Sequence, residues 1–342
     1  MPEPLVVLIA TPLLPELVEQ IRAVDPRITL LYDPELLPRP RFPNDHGGAP
    51  GTFRTPEQET RFLEMLGQAE VLFDFDRPHL RDLSTVAPRL RWVQSTSAGI
   101  GQMVKRVGLD KADIVITTAS GVHARPLADF CLMAMLMFAK DYFRMERDKK
   151  AKHWARYSGE ELTGKTLAIV GLGRIGQEVA RHGKRMDMRV TGMRRSDTPV
   201  EGIDRIFRRD ALRDALAEAD FVVLAAPHTP ETEGMIGAGE IAAMKRGAVL
   251  INIGRAQLVD EPALVRALNE GHLAGAALDV FNPEPPPDDS PFWDMPNVII
   301  SPHSASTVTQ ENARITEIFC DNLQRYLAGK PLRNVLDTEK LY

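Results

Sequence analysis

The sequence predicts an α/β protein built as two domains, each a parallel sheet covered on both faces by helices. Three observations lead there. Short β-rich runs alternate with helix-period stretches, the pattern of strands joined by crossover helices. The alternation occurs twice along the chain. And 342 residues with 44% hydrophobic and 26% charged side chains can fill two cores of ordinary size.

In the first block the candidate strands are Leu5–Ala10, Ile28–Tyr32, Val71–Asp74, Leu90–Ser95 and Ile114–Thr118, with helical patterns at Leu14–Ala23 and Glu57–Leu66. Pro38 to Thr55 is rich in Pro, Gly and Asp without a period and reads as a mobile surface loop. A long helical pattern runs from His123 to about Lys150. The second block follows, with strands at Thr166–Val170, Arg189–Met193, Phe221–Ala225, Ala248–Ile253, Gly275–Val280 and Val298–Ser301. A last helical segment spans Val308 to Leu327.

Composition narrows the partners. A net charge of -5 argues against nucleic acid. Cys131 and Cys320 lie far apart, which suggests buried thiols in a reducing compartment. No cluster has metal-ligand spacing, so no metal is expected. The acidic N-terminal segment does not read as a signal peptide, and the longest apolar stretch, Phe130–Ala139, is too short to span a bilayer. A cytoplasmic protein is expected.

The most specific local signal is Leu167-Ala-Ile-Val-Gly171-Leu-Gly173-Arg174-Ile175-Gly176. An apolar strand ends in G-x-G-x-x-G and passes into a helix. Glycines at that spacing permit a tight turn and close backbone approach to a pyrophosphate, which rests on the helix N-terminus. A dinucleotide is the implied ligand. Three further groups follow predicted strands of the same block: Asn252-Ile253-Gly254-Arg255, Asp279 to Pro285, and Ser301-Pro302-His303-Ser304. In an open parallel sheet all would face the crevice beyond the strand ends. A cation, a carboxylate and an imidazole beside a dinucleotide suit hydride transfer to a keto acid. The histidine supplies a proton, the carboxylate favours its charged form, and the arginine binds and polarises the acid.

Taken in order, these motifs resemble the D-isomer-specific 2-hydroxyacid dehydrogenases over nearly the whole chain. The resemblance rests on Gly171–Gly176, Ala226-Pro-His-Thr-Pro-Glu-Thr232, Asn252-Ile-Gly-Arg255 with Val259-Asp-Glu261, Ala277-Leu-Asp-Val-Phe281 before Pro283-Glu-Pro285, and Ser301-Pro-His303. It implies two Rossmann-like domains. A flavodoxin-like substrate domain, residues 1–103 plus 305–342, would carry an inserted dinucleotide-binding domain, residues 104–304. It implies Arg255, Glu284 and His303 as catalytic residues. Cofactor contacts would come from Gly171, Gly173, Arg174, Ile175, Gly176, Ala226, Pro227, Thr232, Ile253, Gly254, Asp279 and Ser304. Substrate would be bound by Ser97, Ala98 and Gly99 together with Arg255 and His303. A homodimer is implied, with residues 123–158 in its interface, and closure of the two domains would complete the site.

One departure bears on the cofactor. An NAD site has an acid about 20 residues past the glycine loop, bonding the ribose 2′-hydroxyl. Here the strand ends in Arg194-Arg195-Ser196-Asp197. Guanidiniums attract a 2′-phosphate, so NADP(H) is expected over NAD(H), unless a shifted loop brings Asp197 to the ribose. The remaining histidines read as bland: His46 in the mobile loop, and His79, His153, His182 and His272 on the surface or at caps, whereas His123 and His228 could approach the crevice. The leading expectation is a reductase of a small 2-keto acid such as glyoxylate or hydroxypyruvate. A phosphoglycerate dehydrogenase and a dinucleotide-sensing corepressor are the alternatives. The chain's end near Tyr342 leaves no room for the regulatory domain many of the former carry.

Overall fold

A computed structural model describes residues 4–49, 51, 54–196 and 198–340. The chain forms two compact units, Met1–His123 with Thr307–Tyr342, and Ala124–Ser306.

In the first unit β1 (Leu5–Ile9), β2 (Ile28–Leu31), β3 (Val71–Phe73), β4 (Trp92–Gln94) and β5 (Val115–Thr117) form a parallel sheet in the order β2-β1-β3-β4-β5, the flavodoxin order. All five were legible as apolar runs. The junction expected at residue 103 is corrected to residue 123. β5 pairs with β4 in the register Trp92↔Val115, so a cut at 103 would sever the sheet. The helix Glu311–Leu327 belongs here because Phe319 is fully buried against Trp92 and Phe73, with ring centroids 5.1 and 4.9 Å away. Burying such a ring contributes roughly 1.5–3 kcal/mol.

Within the stretch read as a mobile loop, residues 41–48 are pinned in place. Asp45 is buried, accepts hydrogen bonds from the Arg41 side chain and from the amides of Arg41, Gly47 and Gly48, and ties the loop into a knot. The His46 ring turns inward onto Thr11 Oγ1 at 2.9 Å, and burial pushes its imidazole below the usual range. Local composition does not reveal such pinning, which depends on Thr11, just past β1, and on the loop's own carboxylate.

In the second unit β6 (Thr166–Val170), β7 (Arg189–Met193), β8 (Arg205–Phe207), β9 (Phe221–Leu224), β10 (Val249–Asn252), β11 (Gly275–Leu278) and β12 (Val298–Ile300) are all parallel. Their order is β12-β11-β10-β9-β6-β7-β8. Six were expected. The seventh, β8, is a three-residue edge strand flanked by Asp204 and Arg208, too short and too charged for a pattern to show. β6 and β9 are neighbours, and the chain leaves them in opposite directions across the sheet. Their carboxyl ends are therefore the switch point where open α/β sheets bind ligands.

The helix expected from His123 to Lys150 is two helices, Ala124–Ala139 and Tyr142–Lys150, broken where Asp141 takes a left-handed φ of 52°. Buried residues of the first, Leu127, Ala128, Cys131 and Met135, share a core with Val179 and Ala180 of the helix Arg174–Arg185. His182 is corrected from surface to interior: it is 6% exposed, and its Nε2 meets Asp129 at 2.8 Å. Cys131 is buried and Cys320 half-buried, and both thiols are free. Among the described residues no helix is long and apolar enough to cross a membrane, and no group of His, Cys, Asp and Glu could hold a metal ion.

Candidate active site

Three loops at the carboxyl edge of the second sheet touch through bare backbone. Gly171 ends β6 at φ 105°, and a side chain there would strike Ala226 N at 2.7 Å. A Cβ on Gly254, past β10, would meet Ala226 O at 2.9 Å. Gly176, in the first turn of the helix Arg174–Arg185, admits no Cβ because the Gly171 carbonyl fills the space. These glycines are explained by the protein's own packing. Gly173 is not. Its φ of -73° is open to any residue, and a Cβ there would meet nothing within 4 Å. As the N-cap of the helix Arg174–Arg185, Gly173 brings no side chain to its first turn, and the space beside that N-terminus is bare.

On the far side of the switch point, β11 and β12 carry the ionisable groups. Asp279 is 2% exposed. Its Oδ1 accepts from Ser301 Oγ at 2.6 Å and from the Ala305 amide at 3.0 Å. Burial pushes its carboxyl above the usual range, against the pull of those donors. The Asp279 carbonyl also accepts from the His303 amide at 3.0 Å, which helps hold His303 at a left-handed φ of 52°. That bend turns the ring toward Glu284: His303 Nδ1 lies 2.8 Å from Glu284 Oε2. The other Glu284 oxygen accepts from the Phe281 amide at 3.0 Å. A carboxylate accepting at Nδ1 requires the proton there, which leaves Nε2 as the outward nitrogen. Both side chains are about half exposed, open to an incoming molecule.

Arg255 follows β10. Its Nη1 donates to the Gly254 carbonyl at 2.7 Å, and Asn252 Nδ2 donates to the Arg255 carbonyl at 3.0 Å. Burial pushes the guanidinium below its ordinary range, and the negative fields of Glu284 and Asp279 oppose that shift. Arg255, Glu284, Asp279 and His303 thus form one electrostatic cluster. Thr232 is tied into its own turn, donating to the Pro227 carbonyl at 2.7 Å, and Ser304 Oγ donates to Pro302 O at 3.2 Å. Ser97, Ala98 and Gly99 lie in the first unit just past β4, where the Ser97 amide donates to Ser95 Oγ at 3.1 Å.

A third feature lies past β7 and β8. Arg195, Arg208, Arg209 and Asp210 line a hollow of about 540 Å³. Arg194 begins the same loop, its Nη1 donating to Thr198 O at 3.4 Å. Asp197, weighed as a ribose ligand, lies outside the described residues.

A family model for the D-isomer specific 2-hydroxyacid dehydrogenase NAD-binding domain matches residues 132–305. The chain belongs to this family. A glyoxylate reductase of Korarchaeum cryptofilum is 37% identical over 264 residues, covering 74% of this chain and 78% of that protein. Two solved structures of the family are similar over 99% of this chain and 100% of theirs, each with a TM-score of 0.79. One, from Xanthobacter autotrophicus, is 28% identical and in complex with NADPH and MES. The other is an NADPH-dependent glyoxylate/hydroxypyruvate reductase of Sinorhizobium meliloti, 27% identical and in complex with NADP and sulfate.

As a D-2-hydroxyacid dehydrogenase, the enzyme interconverts a small 2-keto acid and a D-2-hydroxy acid with a nicotinamide cofactor. The glycine loop fits that cofactor: Gly173 leaves bare, at a helix N-terminus, the space a pyrophosphate needs. Sequence reasoning missed Arg208 and Arg209 because it missed β8, the strand that delivers them. The doublet after Arg205-Ile-Phe207 was the available signal.

Proposed function

We propose that this enzyme is an NADPH-preferring reductase of glyoxylate or hydroxypyruvate, with Arg255, Glu284 and His303 as its catalytic residues. The 2.8 Å pairing of His303 Nδ1 with Glu284 carries the catalytic part of this reading. It fixes the tautomer that presents Nε2, the nitrogen a general acid needs. In reduction His303 Nε2 gives its proton to the keto oxygen. Glu284 holds the ring and balances the imidazolium charge. Arg255 draws the substrate carboxylate and polarises the carbonyl. The nicotinamide, when bound, supplies the hydride that reaches the carbonyl carbon. Oxidation runs the same steps backward, with His303 as base. Asp279 takes the nicotinamide carboxamide, and the backbone of Ser97–Gly99 takes the substrate carboxylate. The remaining cofactor contacts are Gly171, Gly173, Arg174, Ile175, Gly176, Ala226, Pro227, Thr232, Ile253, Gly254 and Ser304.

The NADP preference is supported by Arg194 and Arg195 where an NAD site has an acid. It is supported too by Arg208 and Arg209 around the same hollow, and by the NADP-bound structures of similar proteins. The working form is a homodimer, supported by the exposed hydrophobics Met133, Tyr142, Met145 and the 97%-exposed Trp154, and its two free thiols favour a reducing compartment such as the cytoplasm. Sedimentation reads the assembly directly: a dimer supports it and a monomer at micromolar concentration overturns it.

The functional test is cofactor oxidation with a panel of 2-keto acids. Turnover of glyoxylate or hydroxypyruvate with a higher kcat/KM for NADPH than NADH is the expected result. A preference for NADH overturns the cofactor assignment. Tight NADPH binding without turnover of any keto acid points instead to a sensor.

A further inference from the structure

The loop after β9 carries a carboxylate into the arginine cluster. Glu231 Oε2 accepts from Arg195 Nη2 at 2.8 Å and lies 3.8 Å from Arg209 Nη1. The main-chain carbonyl of Glu231 accepts from Arg209 Nη2. Asp210 lines the same hollow. A cofactor phosphate has no use for an acid here, because a dianion seated on Arg195 and Arg209 would lie against the Glu231 carboxylate.

We propose that Glu231 is an internal counter-anion of the cofactor site. It occupies the guanidiniums that a 2′-phosphate engages, must be displaced when the phosphate arrives, and so limits how strongly the enzyme favours NADP(H) over NAD(H). This rests on the NADP reading above and names the residue that tunes it.

A carboxylate among arginines can do one of two things, and they predict opposite signs. If it orients the guanidiniums, neutralising it weakens phosphate binding. If it competes with the phosphate, neutralising it strengthens binding. The geometry favours competition, because main-chain carbonyls orient Arg209 and Arg194, while the Glu231 carboxylate bonds Arg195 directly and so holds that guanidinium back from the phosphate. Arg209 is held by the Glu231 carbonyl, and Arg194 by the Thr198 carbonyl. A glutamine at 231 keeps the first of these bonds. The Arg195 and Glu231 side chains are 62% and 59% exposed, so water screens the pair and the exchange of one anion for another is easy. The gain on neutralisation is accordingly modest, about three- to tenfold, from one released exposed pair and one removed like charge.

The test is calorimetric titration of the full chain and its Glu231→Gln variant with 2′,5′-ADP and with 5′-AMP, which differ by the 2′-phosphate alone. The variant is expected to bind 2′,5′-ADP about three- to tenfold tighter and 5′-AMP within about twofold of the parent, with the gain shrinking as salt rises. In an Arg195→Leu, Arg209→Leu background the same change is expected to yield no gain. Unchanged or weaker 2′,5′-ADP binding, an equal gain for 5′-AMP, or a full gain without the two arginines overturns the proposal. The parent enzyme separately tests the underlying reading: equal affinity for the two probes would refute NADP preference whatever Glu231 does.

Discussion

Replacing Gly173 with alanine separates a glycine kept for a ligand from glycines kept for the fold. The added methyl meets nothing within 4 Å, and φ -73° suits alanine. The smaller conformational freedom of the unfolded chain stabilises the variant by ~0.4–1 kcal/mol. Alanine is a poorer helix N-cap than glycine by a comparable amount. The net change in folding stability is therefore below about 1 kcal/mol, a shift of a few degrees in Tm at most. Cofactor binding responds differently. On the proposed pyrophosphate site the methyl would stand between the phosphates and the helix N-terminus, and each charge-assisted bond lost there would be worth roughly 1.5–3 kcal/mol, or 10- to 150-fold in Kd. Gly176→Ala is the contrast. Its methyl collides with the Gly171 carbonyl, and forcing that packing apart costs about 1–3 kcal/mol of stability before any cofactor is added. Thermal denaturation without cofactor, followed by NADPH titration, reads both quantities. Parental NADPH affinity in Gly173→Ala would refute the assignment of this loop to the pyrophosphate, as would a loss of stability matching that of Gly176→Ala.

Other outcomes follow from the same geometry. His303→Gln is expected to lower kcat by roughly 10²–10⁴ while NADPH affinity holds within a few fold; an intact kcat removes His303 as the acid. Glu284→Gln keeps an acceptor for Nδ1 but removes the counter-charge to the imidazolium, so kcat for reduction is expected to fall while NADPH affinity holds within a few fold; an unchanged kcat removes Glu284 from the catalytic set. Arg194→Asp should narrow or reverse the NADPH-to-NADH ratio of kcat/KM, by about 10- to 150-fold for one charge-assisted bond; an unchanged ratio places the phosphate elsewhere. Asp45 supplies the pH prediction for folding. Burial raises its carboxyl, but the bonds from Arg41 and the Gly47 amide outweigh burial and hold it well below the usual range. Its stabilising share is full above the unfolded value, near pH 4, and is lost as pH falls toward the folded value. Asp45→Asn should therefore destabilise at neutral pH and flatten the acid limb of a denaturation series. A parallel loss at every pH would mean that the charge of Asp45 contributes nothing.

The sequence carried the strand ends well and the side-chain partners poorly, and the reason differs from place to place. Buried parallel strands are continuous apolar runs, so eleven of them stood out, and with them the positions of Arg255, Asp279 and His303 just beyond. β8 did not, because a three-residue edge strand between charges has no apolar run to see, and Arg208, Arg209 and their cavity went with it. His303 and Glu284 were legible as residues. Their pairing depends on a left-handed bend at His303, held in part by an amide bond to the strand-end carbonyl of Asp279, which no local pattern encodes. The inward turn of His46 onto Thr11 and the burial of His182 on Asp129 share that cause: each is pinned by a partner distant in sequence, whereas the knot around Asp45 is made by local donors whose polar composition looks like that of any loop. The break at Asp141 was hidden because a single left-handed residue interrupts a helix without interrupting its periodicity.

The proposed chemistry adds hydride to one face of the 2-keto carbon while His303 protonates the oxygen. It is tested by the chirality and yield of glycerate formed from hydroxypyruvate and NADPH. D-glycerate is expected, one molecule for each NADPH consumed, with its near-disappearance in His303→Gln. Formation of L-glycerate, or D-glycerate at an undiminished rate without the His303 imidazole, would contradict it.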